Sequence, residues 1–426
     1  MVSIGSRLRS GRAMMDTDRH RPAERRLVKP MMLFMFSAFL LLGLKDFNWL
    51  SFVLAILVPL GLHITTLLLP RLFPADTLLL GMANFLCAVG ILTLYRMDPE
   101  RGMNQIVMYA LGLGVMLLGI LYIRFWQRLK ATVPLVAVAA VVLMAMPVFF
   151  GRERNGAKAW IALFGVSFQP SEIAKLAHLV VLAFLLSRRR VMMAMIFAGA
   201  CLVLLMLQKD LGTALIYYGI TLILIFSATG SLTVLGLGTA GAAAGAVLGY
   251  SMFSHVKRRV AIWVDPWVDH RGSGYQIVQS LIAMANGGLW GTGLGLGNAN
   301  VIPEYSTDFI FSVILNEFGV LFGLCVIAVY ALIFIRGVSI AMRSRTKFHT
   351  LLALGCASFI ALQAFVIIGG NIKLIPLTGV TLPLVSYGGT SLISSLGIMG
   401  LLQGVASVNQ EDIKEDQMIA LIGEES

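Results

Sequence analysis

Charged residues stand at the edges of long apolar stretches in this 426-residue chain, and its chemistry must be sought there. Glu172 and Lys175 lie in Pro170-Ser171-Glu172-Ile173-Ala174-Lys175, which opens one such stretch. Three apart, they share one face of a helix. An unpaired charge at the centre of a bilayer costs about 2.5–3.5 kcal/mol or more, so the two are either a structural ion pair or part of a functional cavity. His178 continues that face and reads as a packed side chain. Asp210, in the turn Gln208-Lys209-Asp210-Leu211-Gly212-Thr213, is either a helix cap or a member of a polar path. Lys209 beside it can snorkel. Lys257, Arg258 and Arg259 open a long polar segment, and Arg152, Arg154 and Lys158 sit in another. Their two readings are pairing with Glu153, Asp265, Asp269 and Glu304, or holding an anionic ligand such as a phosphate. Asp308 closes the long segment at the start of an apolar run, as a helix N-terminal acid or as a working carboxylate. No His/Cys group has metal-ligand spacing. Gly291-Thr292-Gly293-Leu294-Gly295-Leu296-Gly297 lacks the preceding strand and the lysine of a phosphate loop and reads as a flexible outer loop.

The elements that must position these residues are membrane spans. The chain is 58% hydrophobic and 13% charged, against about 25% charged in soluble domains. Crossing the hydrocarbon core takes roughly 20 apolar residues, and runs of that order are predicted near 31–44, 49–69, 77–95, 105–123, 132–150, 170–187, 191–207, 211–228, 232–253, 309–335, 349–372 and 382–405. Lipid demands helices or a closed barrel, and the runs lack the alternation of barrel strands. The expected fold is therefore all-α, a polytopic bundle of about twelve transmembrane helices. Eight Lys or Arg lie between Arg7 and Lys29, and further clusters follow at Arg124–Lys130, Arg188–Arg190 and Arg336–Lys347. With twelve spans all fall on one side, which the positive-inside rule makes cytoplasmic, together with both termini. The net charge of +12 is then a signal of topology and of attraction to anionic lipids, not of nucleic-acid binding. Residues 1–29 form a polar arm and not a cleavable signal. Segments 151–169 and 254–308 face outward, and the second is long enough to be functional. Gly241, Gly245 and Gly249 repeat every four residues, a spacing that lets helices approach closely. Cys87, Cys201, Cys325 and Cys356 all fall in apolar runs, so no disulfide framework is expected.

Several stretches in these positions carry a resemblance. Tyr305-Ser306-Thr307-Asp308-Phe309-Ile310-Phe311, followed by Glu317-Phe318-Gly319, resembles the outer-loop signature of the shape, elongation, division and sporulation proteins. These are the membrane-embedded peptidoglycan polymerases of the RodA, FtsW and SpoVE type. Gln169-Pro170-Ser171-Glu172 after Trp160, Asp210-Leu211-Gly212-Thr213, and Gly272-Ser273-Gly274-Tyr275-Gln276 agree with it, as do Pro376-Leu377-Thr378-Gly379 and Pro383-Leu384-Val385-Ser386-Tyr387-Gly388-Gly389-Thr390-Ser391. The likeness covers roughly residues 77–408. It implies a basic arm over 1–30, an extra transmembrane hairpin over 31–70 beyond the family's usual ten spans, a catalytic core over 77–408 and a cytoplasmic tail over 409–426. The chain departs from the common pattern at Lys209, at Ser306 where histidine is usual, and at Asn316 where a second acid is frequent.

The resemblance implies glycosyl transfer on lipid II at the outer face of a bacterial cytoplasmic membrane, with Asp308 as the catalytic residue. Glu172, Lys175, Asp210, Lys257, Arg258, Arg259, Gln276, Ser386 and Thr390 are the implied substrate-binding residues. The residue chemistry agrees. Diphosphate is a good leaving group, so a single carboxylate acting as general base, worth roughly 10²–10⁴-fold, suffices, where a glycosidase needs a carboxyl pair. The departing charge calls for cations such as Lys175, Lys257, Arg258 and Arg259, with Mg or Mn a candidate addition. The implied partner is a class B penicillin-binding protein that crosslinks the strands. The rival readings are a lipid II flippase, using Glu172, Lys175 and Asp210 as its path, and a non-catalytic scaffold for wall assembly.

Overall fold

Among the residues described by the computed structural model (28–71, 73–154, 156–163 and 166–424), eleven helices are long and apolar enough to cross a membrane. They are α1 (Val28–Asp46), α2 (Trp49–His63, continuing through a π-helical turn to Arg71), α3 (Thr77–Met97), α4 (Pro99–Arg124), α6 (Val133–Phe150, after the single turn α5, Trp126–Leu129), α7 (Pro170–Ser187), α9 (Leu211–Thr229), α10 (Leu232–Met252), α13 (Ile310–Met342), α14 (Lys347–Asn371) and α15 (Gly389–Glu424). The predicted span over 191–207 is the shorter apolar helix α8 (Val191–Leu207). Eleven spans and this helix make up the twelve expected crossings of a multi-pass membrane protein. The N-terminal arm lies, through residue 27, outside the described residues.

Ion pairs gather the basic loops at one end of the bundle. Arg336 Nε lies 2.6 Å from Asp76, Arg124 Nη2 lies 2.7 Å from Glu411, and Arg345 Nη2 lies 2.5 Å from Asp416. The loops after the second, fourth and tenth crossings and the C-terminal extension therefore share a side, as the charge pattern requires. Asp308, Asp210 and the segment 254–308 lie at the other end.

The last span differs from its expected bounds. Residues 382–388 form a tight buried turn, with Leu384 at φ 67° and the Val385 and Ser386 N–H groups both donating to the Leu382 carbonyl. Helix starts at Gly389 and runs unbroken to Glu424, so the tail expected over 409–426 is largely a continuation of α15. Irregular backbone is tolerated at membrane depth where protein buries it. The polar segment 151–169 adds a small antiparallel sheet to the helical fold, β1 (Arg152–Arg154), β2 (Ala157–Leu163) and β3 (Val166–Phe168) in that order. Within 254–308, α11 (Ser254–Val264) and α12 (Tyr275–Gly287) take up much of the outer loop.

Close approach of α10 to α9 is carried by part of the glycine repeat, with an added Cβ on Gly241 3.0 Å from the Tyr218 hydroxyl, which donates to the Gly238 carbonyl. On α10, Gly245 has nothing within 4 Å of an added Cβ, and Gly249 is the one buried residue. Small residues also bring α4 and α15 together, where a Cβ on Gly400 would lie 2.3 Å from the Met116 carbonyl oxygen. The glycine-rich segment 291–297 is also not a free loop. Helix α13 is kinked at Gly319 (φ 82°, ψ 172°), which frees the carbonyls of Asn316 and Glu317. Thr292 and Gly293 N–H donate to them at 2.9 and 3.0 Å, and Val320 N–H donates back to Gly288. This exchange gives the freed Asn316 and Glu317 carbonyls and the Val320 N–H partners at the break. The N-terminal hairpin of α1 and α2 packs through Phe34 on Phe322 and Phe39 on Tyr95, and polar groups add to this: Asn84 Nδ2 donates to Thr65 and Thr66, and Lys45 Nζ donates to the Gly295 carbonyl. All four cysteines are free.

Candidate active site

Asp308 closes the outer segment two residues before α13 begins, and its main chain is fixed from several sides. Asn371 Nδ2, at the end of α14, donates to the Asp308 carbonyl at 2.7 Å. Asn371 Oδ1 in turn accepts from Ser312 Oγ at 2.9 Å, and Ser312 meets Ser280 of α12 at 2.7 Å. These groups are buried, so the linkage ties three helices at the point that carries the carboxylate. From the buried turn before α15, Ser386 Oγ donates to the Thr307 carbonyl at 2.7 Å, and Tyr387 N–H donates to that of Ser306 at 2.8 Å. Gln105, fully buried on α4, donates to the Ser386 carbonyl at 3.0 Å.

The basic triplet on α11 divides. Lys257 and Arg258 are exposed, whereas Arg259 is half-buried and donates through Nη1 to the Thr378 carbonyl at 2.6 Å. The next residue, Gly379, has φ 75°, a region that favours glycine. A Cβ placed there would lie 3.4 Å from Arg259 Nη2 and 3.5 Å from Asp308 Oδ2. Guanidinium and carboxylate thus both border the space a side chain at 379 would fill. Burial lowers the pKa of the Arg259 guanidinium, and Asp308 and Asp210 act against that shift.

Asp210 caps α9. Its Oδ1 accepts from Thr213 N–H at 3.1 Å and its Oδ2 from Gln169 Nε2 at 2.9 Å. Burial pushes its carboxyl above the usual range and Glu172 adds to this, while Thr213 and Arg259 oppose it. Gly212 brings α9 against the Thr378 carbonyl, which sits 2.8 Å from the position of an added Cβ. Glu172 and Lys175 form an ion pair of 2.6 Å with side-chain exposures of 12% and 2%, and Ser394 Oγ donates to Glu172 at 2.8 Å. Glu172, Asp210, Arg259 and Asp308 therefore follow one another along one side of the outer end. Gln276 is exposed in the first turn of α12, and Thr390 is half-buried in the first turn of α15. His178 is packed, as expected, against Tyr217 and Thr221.

Two arginines were not picked out by the sequence. Arg96 on α3 reaches Glu317 at 2.6 Å and the Gly297 carbonyl at 2.8 Å, under the kink of α13. Arg101, in the first turn of α4, donates to Ser306 Oγ at 2.6 Å. The available signal was Asp98-Pro99, a helix start six residues ahead of the span expected at 105; it places Arg101 on a helix at the membrane's outer edge. Among the described residues no three His, Cys, Asp or Glu side chains converge as a metal-binding group.

Comparison with known proteins agrees with this arrangement. Residues 68–411 match the profile of the FtsW/RodA/SpoVE cell cycle proteins. The peptidoglycan glycosyltransferase RodA of Mycobacterium tuberculosis is 33% identical over 364 residues, 78% of each chain. Stage V sporulation protein E of Bacillus subtilis is 34% identical over 295 residues, 66% of this chain and 79% of that protein. Among solved structures, a chain of a peptidoglycan synthase complex that coordinates polymerization and crosslinking superposes with TM-score 0.66 at 27% identity, covering 79% of this chain and 98% of that one. The Rod shape determining protein RodA of Thermus thermophilus gives TM-score 0.57 at 26% identity, over 79% and 98% of the two chains. With its motifs in order on a shared helical frame, the chain belongs to the FtsW/RodA/SpoVE family of bacterial membrane proteins.

Proposed function

We propose that Asp308 is the general base of a peptidoglycan glycosyltransferase that polymerises lipid II at the outer face of the cytoplasmic membrane. The chain is a peptidoglycan glycosyltransferase of its family, and the site geometry supports the residue roles assigned here. In the reaction the acceptor's 4-hydroxyl gives its proton to Asp308 as its oxygen bonds to the anomeric carbon of the donor. The bond from that carbon to the diphosphate oxygen breaks, and undecaprenyl diphosphate departs with the electron pair. Proton and negative charge thus appear at two different atoms, and a base and a cation must stand close together. The observation that carries the reading is that Asp308 Oδ2 and Arg259 Nη2 border the same space beside Gly379. A fixed guanidinium aimed at the developing charge lowers the barrier without reorganising during the reaction.

Lys175 and Glu172 extend this polar wall toward the membrane, where the lipid-linked diphosphate would enter. Arg259 is the cation we assign to the diphosphate; Lys257 and Arg258 face solvent and suit long-range attraction of the anionic substrate. A divalent cation, Mg or Mn, fits a site of carboxylates and substrate phosphates, because Mg commonly takes one or two carboxylates with phosphates and waters. It would be held mainly by the substrate phosphates beside the Asp210 and Glu172 carboxylates, leaving Asp308 to act as the base, and it would supply further neutralisation of the diphosphate. For a partner we propose a class B penicillin-binding protein, in line with the synthase complex in which a similar chain was solved.

The test is polymerisation of purified lipid II by the protein together with its transpeptidase partner. Asp308→Asn is expected to insert and melt like wild type but to lose strand synthesis by about 10²-fold or more. Near-normal strand synthesis by the folded variant would remove Asp308 from the mechanism and leave a flippase or scaffold role standing.

A further inference from the structure

Against the segment that leads into Asp308 lies a second cation to which the mechanism above gives no task. Arg101 projects from the first turn of α4 into the Tyr305–Thr307 segment. Its guanidinium carbon is 5.3 Å from the centre of the Tyr305 ring and 5.8 Å from that of Tyr387. Nη1 donates to Ser306 Oγ at 2.6 Å, and Nε lies 3.1 Å from Asp98. The side chain remains 41% exposed, so a face of it is open to a ligand. Tyr387 is bound to the same segment through its N–H on Ser306, and both rings are half-buried. An arginine packed on two tyrosine rings and bonded to Ser306, two residues before the base, offers a charged fork for phosphate and aromatic faces for a sugar ring.

The chemistry of the proposed reaction requires such a place. Joining two lipid-linked saccharides brings two diphosphates to the membrane surface, and only the donor's departs. The acceptor's diphosphate is unchanged from ground state to transition state. Whatever binds it contributes uniform binding, which sets KM and not kcat. Arg259, beside the same space at Gly379 as the base, is placed for the charge that changes. We infer that Arg101, Tyr305 and Tyr387 form the acceptor subsite, holding the saccharide diphosphate of the incoming lipid II so that its hydroxyl reaches Asp308. This rests on the polymerase reading above.

The experiment is steady-state polymerisation of lipid II by the full-length protein with its transpeptidase partner. Arg101→Ala is expected to raise KM for lipid II about 10-fold, a loss of about 1.4 kcal/mol, with kcat within about 3-fold of wild type. Asp98→Asn keeps a good helix cap while removing the carboxylate that competes for Arg101, and it is expected to lower KM. Because this second variant retains the cap, it tests the subsite even where Arg101→Ala fails to fold. A role as a clamp on the Tyr305–Asp308 segment predicts the opposite split, with kcat falling and KM unchanged, and that result overturns the inference. An Asp98→Asn protein with unaltered or raised KM also overturns it. Wild-type protein that forms no strands at all in the same assay removes the polymerase reading itself, and the subsite with it.

Discussion

Glu172 and Lys175 are the residues for which placement and partner chemistry are hardest to separate. Their 2.6 Å contact at 12% and 2% exposure is a buried ion pair, whose net value is small because desolvation offsets attraction. Removing one member is costly, since the other is left buried and uncompensated, at about 3–5 kcal/mol. Glu172→Ala and Lys175→Ala are each expected to lower thermal stability and to cut strand synthesis strongly. Changing both to neutral residues of similar volume is expected to restore the melting temperature but not polymerisation, if the lysine charge also serves the diphosphate. Measuring melting and activity on the two single variants and the double variant separates the cases. Full activity in the double variant would reduce the pair to a structural role.

The kink of α13 works at the scale of elements. It divides the helix into a short buried piece, Ile310–Phe318, that follows directly from Asp308, and a long piece that crosses the membrane. Arg96 on Glu317, with Thr292 and Gly293 on the freed carbonyls, holds the far end of the short piece, while Asn371 holds its beginning at Asp308. Gly319 makes this possible. Its φ of 82° and ψ of 172° belong to a region nearly restricted to glycine, and a Cβ there would sit 2.4 Å from Gly291 N. Gly319→Ala is expected to cost about 1–3 kcal/mol from backbone strain alone, with the steric clash adding to it. Activity should fall alongside stability, as the segment bearing Asp308 loses its brace. Thermal melting in detergent checks the first part and strand synthesis at a permissive temperature the second; an unshifted melting temperature would show that the kink is not needed.

At the scale of the whole molecule, the bundle separates two polar ends that do different work. The cytoplasmic end is held by pairs of loop arginines with Asp76 and with the acidic continuation of α15. The outer end carries Asp308, Arg259, Asp210 and Arg101. Cysteine scanning tests this division directly. In a Cys325→Ser background, the other native thiols being buried, Ser273→Cys should react with an impermeant thiol reagent from outside the cell and Ser344→Cys should not. Reaction at both positions, or the reverse pattern, would mean that the crossings have been counted wrongly.

What the sequence determined by itself was whatever depends on neighbours along the chain. Apolar runs of span length, the alternation of basic loops and the three-residue spacing of Glu172 and Lys175 are local patterns, and lipid leaves a helix little alternative. The motifs around Asp308, Asp210 and Ser386 were legible in the same way. Tertiary structure alone decided which groups meet. Lys257, Arg258 and Arg259 look alike as a run, and only the approach of Thr378, 119 residues onward, turns the last of them toward Asp308. Arg101 meets Ser306 across 205 positions, and the Gly291–Gly297 segment takes its shape from carbonyls freed at Gly319. The end of α14 and the buried turn at 382–388 likewise act on Asp308 only through packing. Such contacts depend on how helices cross, and helix crossing is set by side-chain volumes on several elements at once. A linear pattern records each of those volumes but not their combination in space.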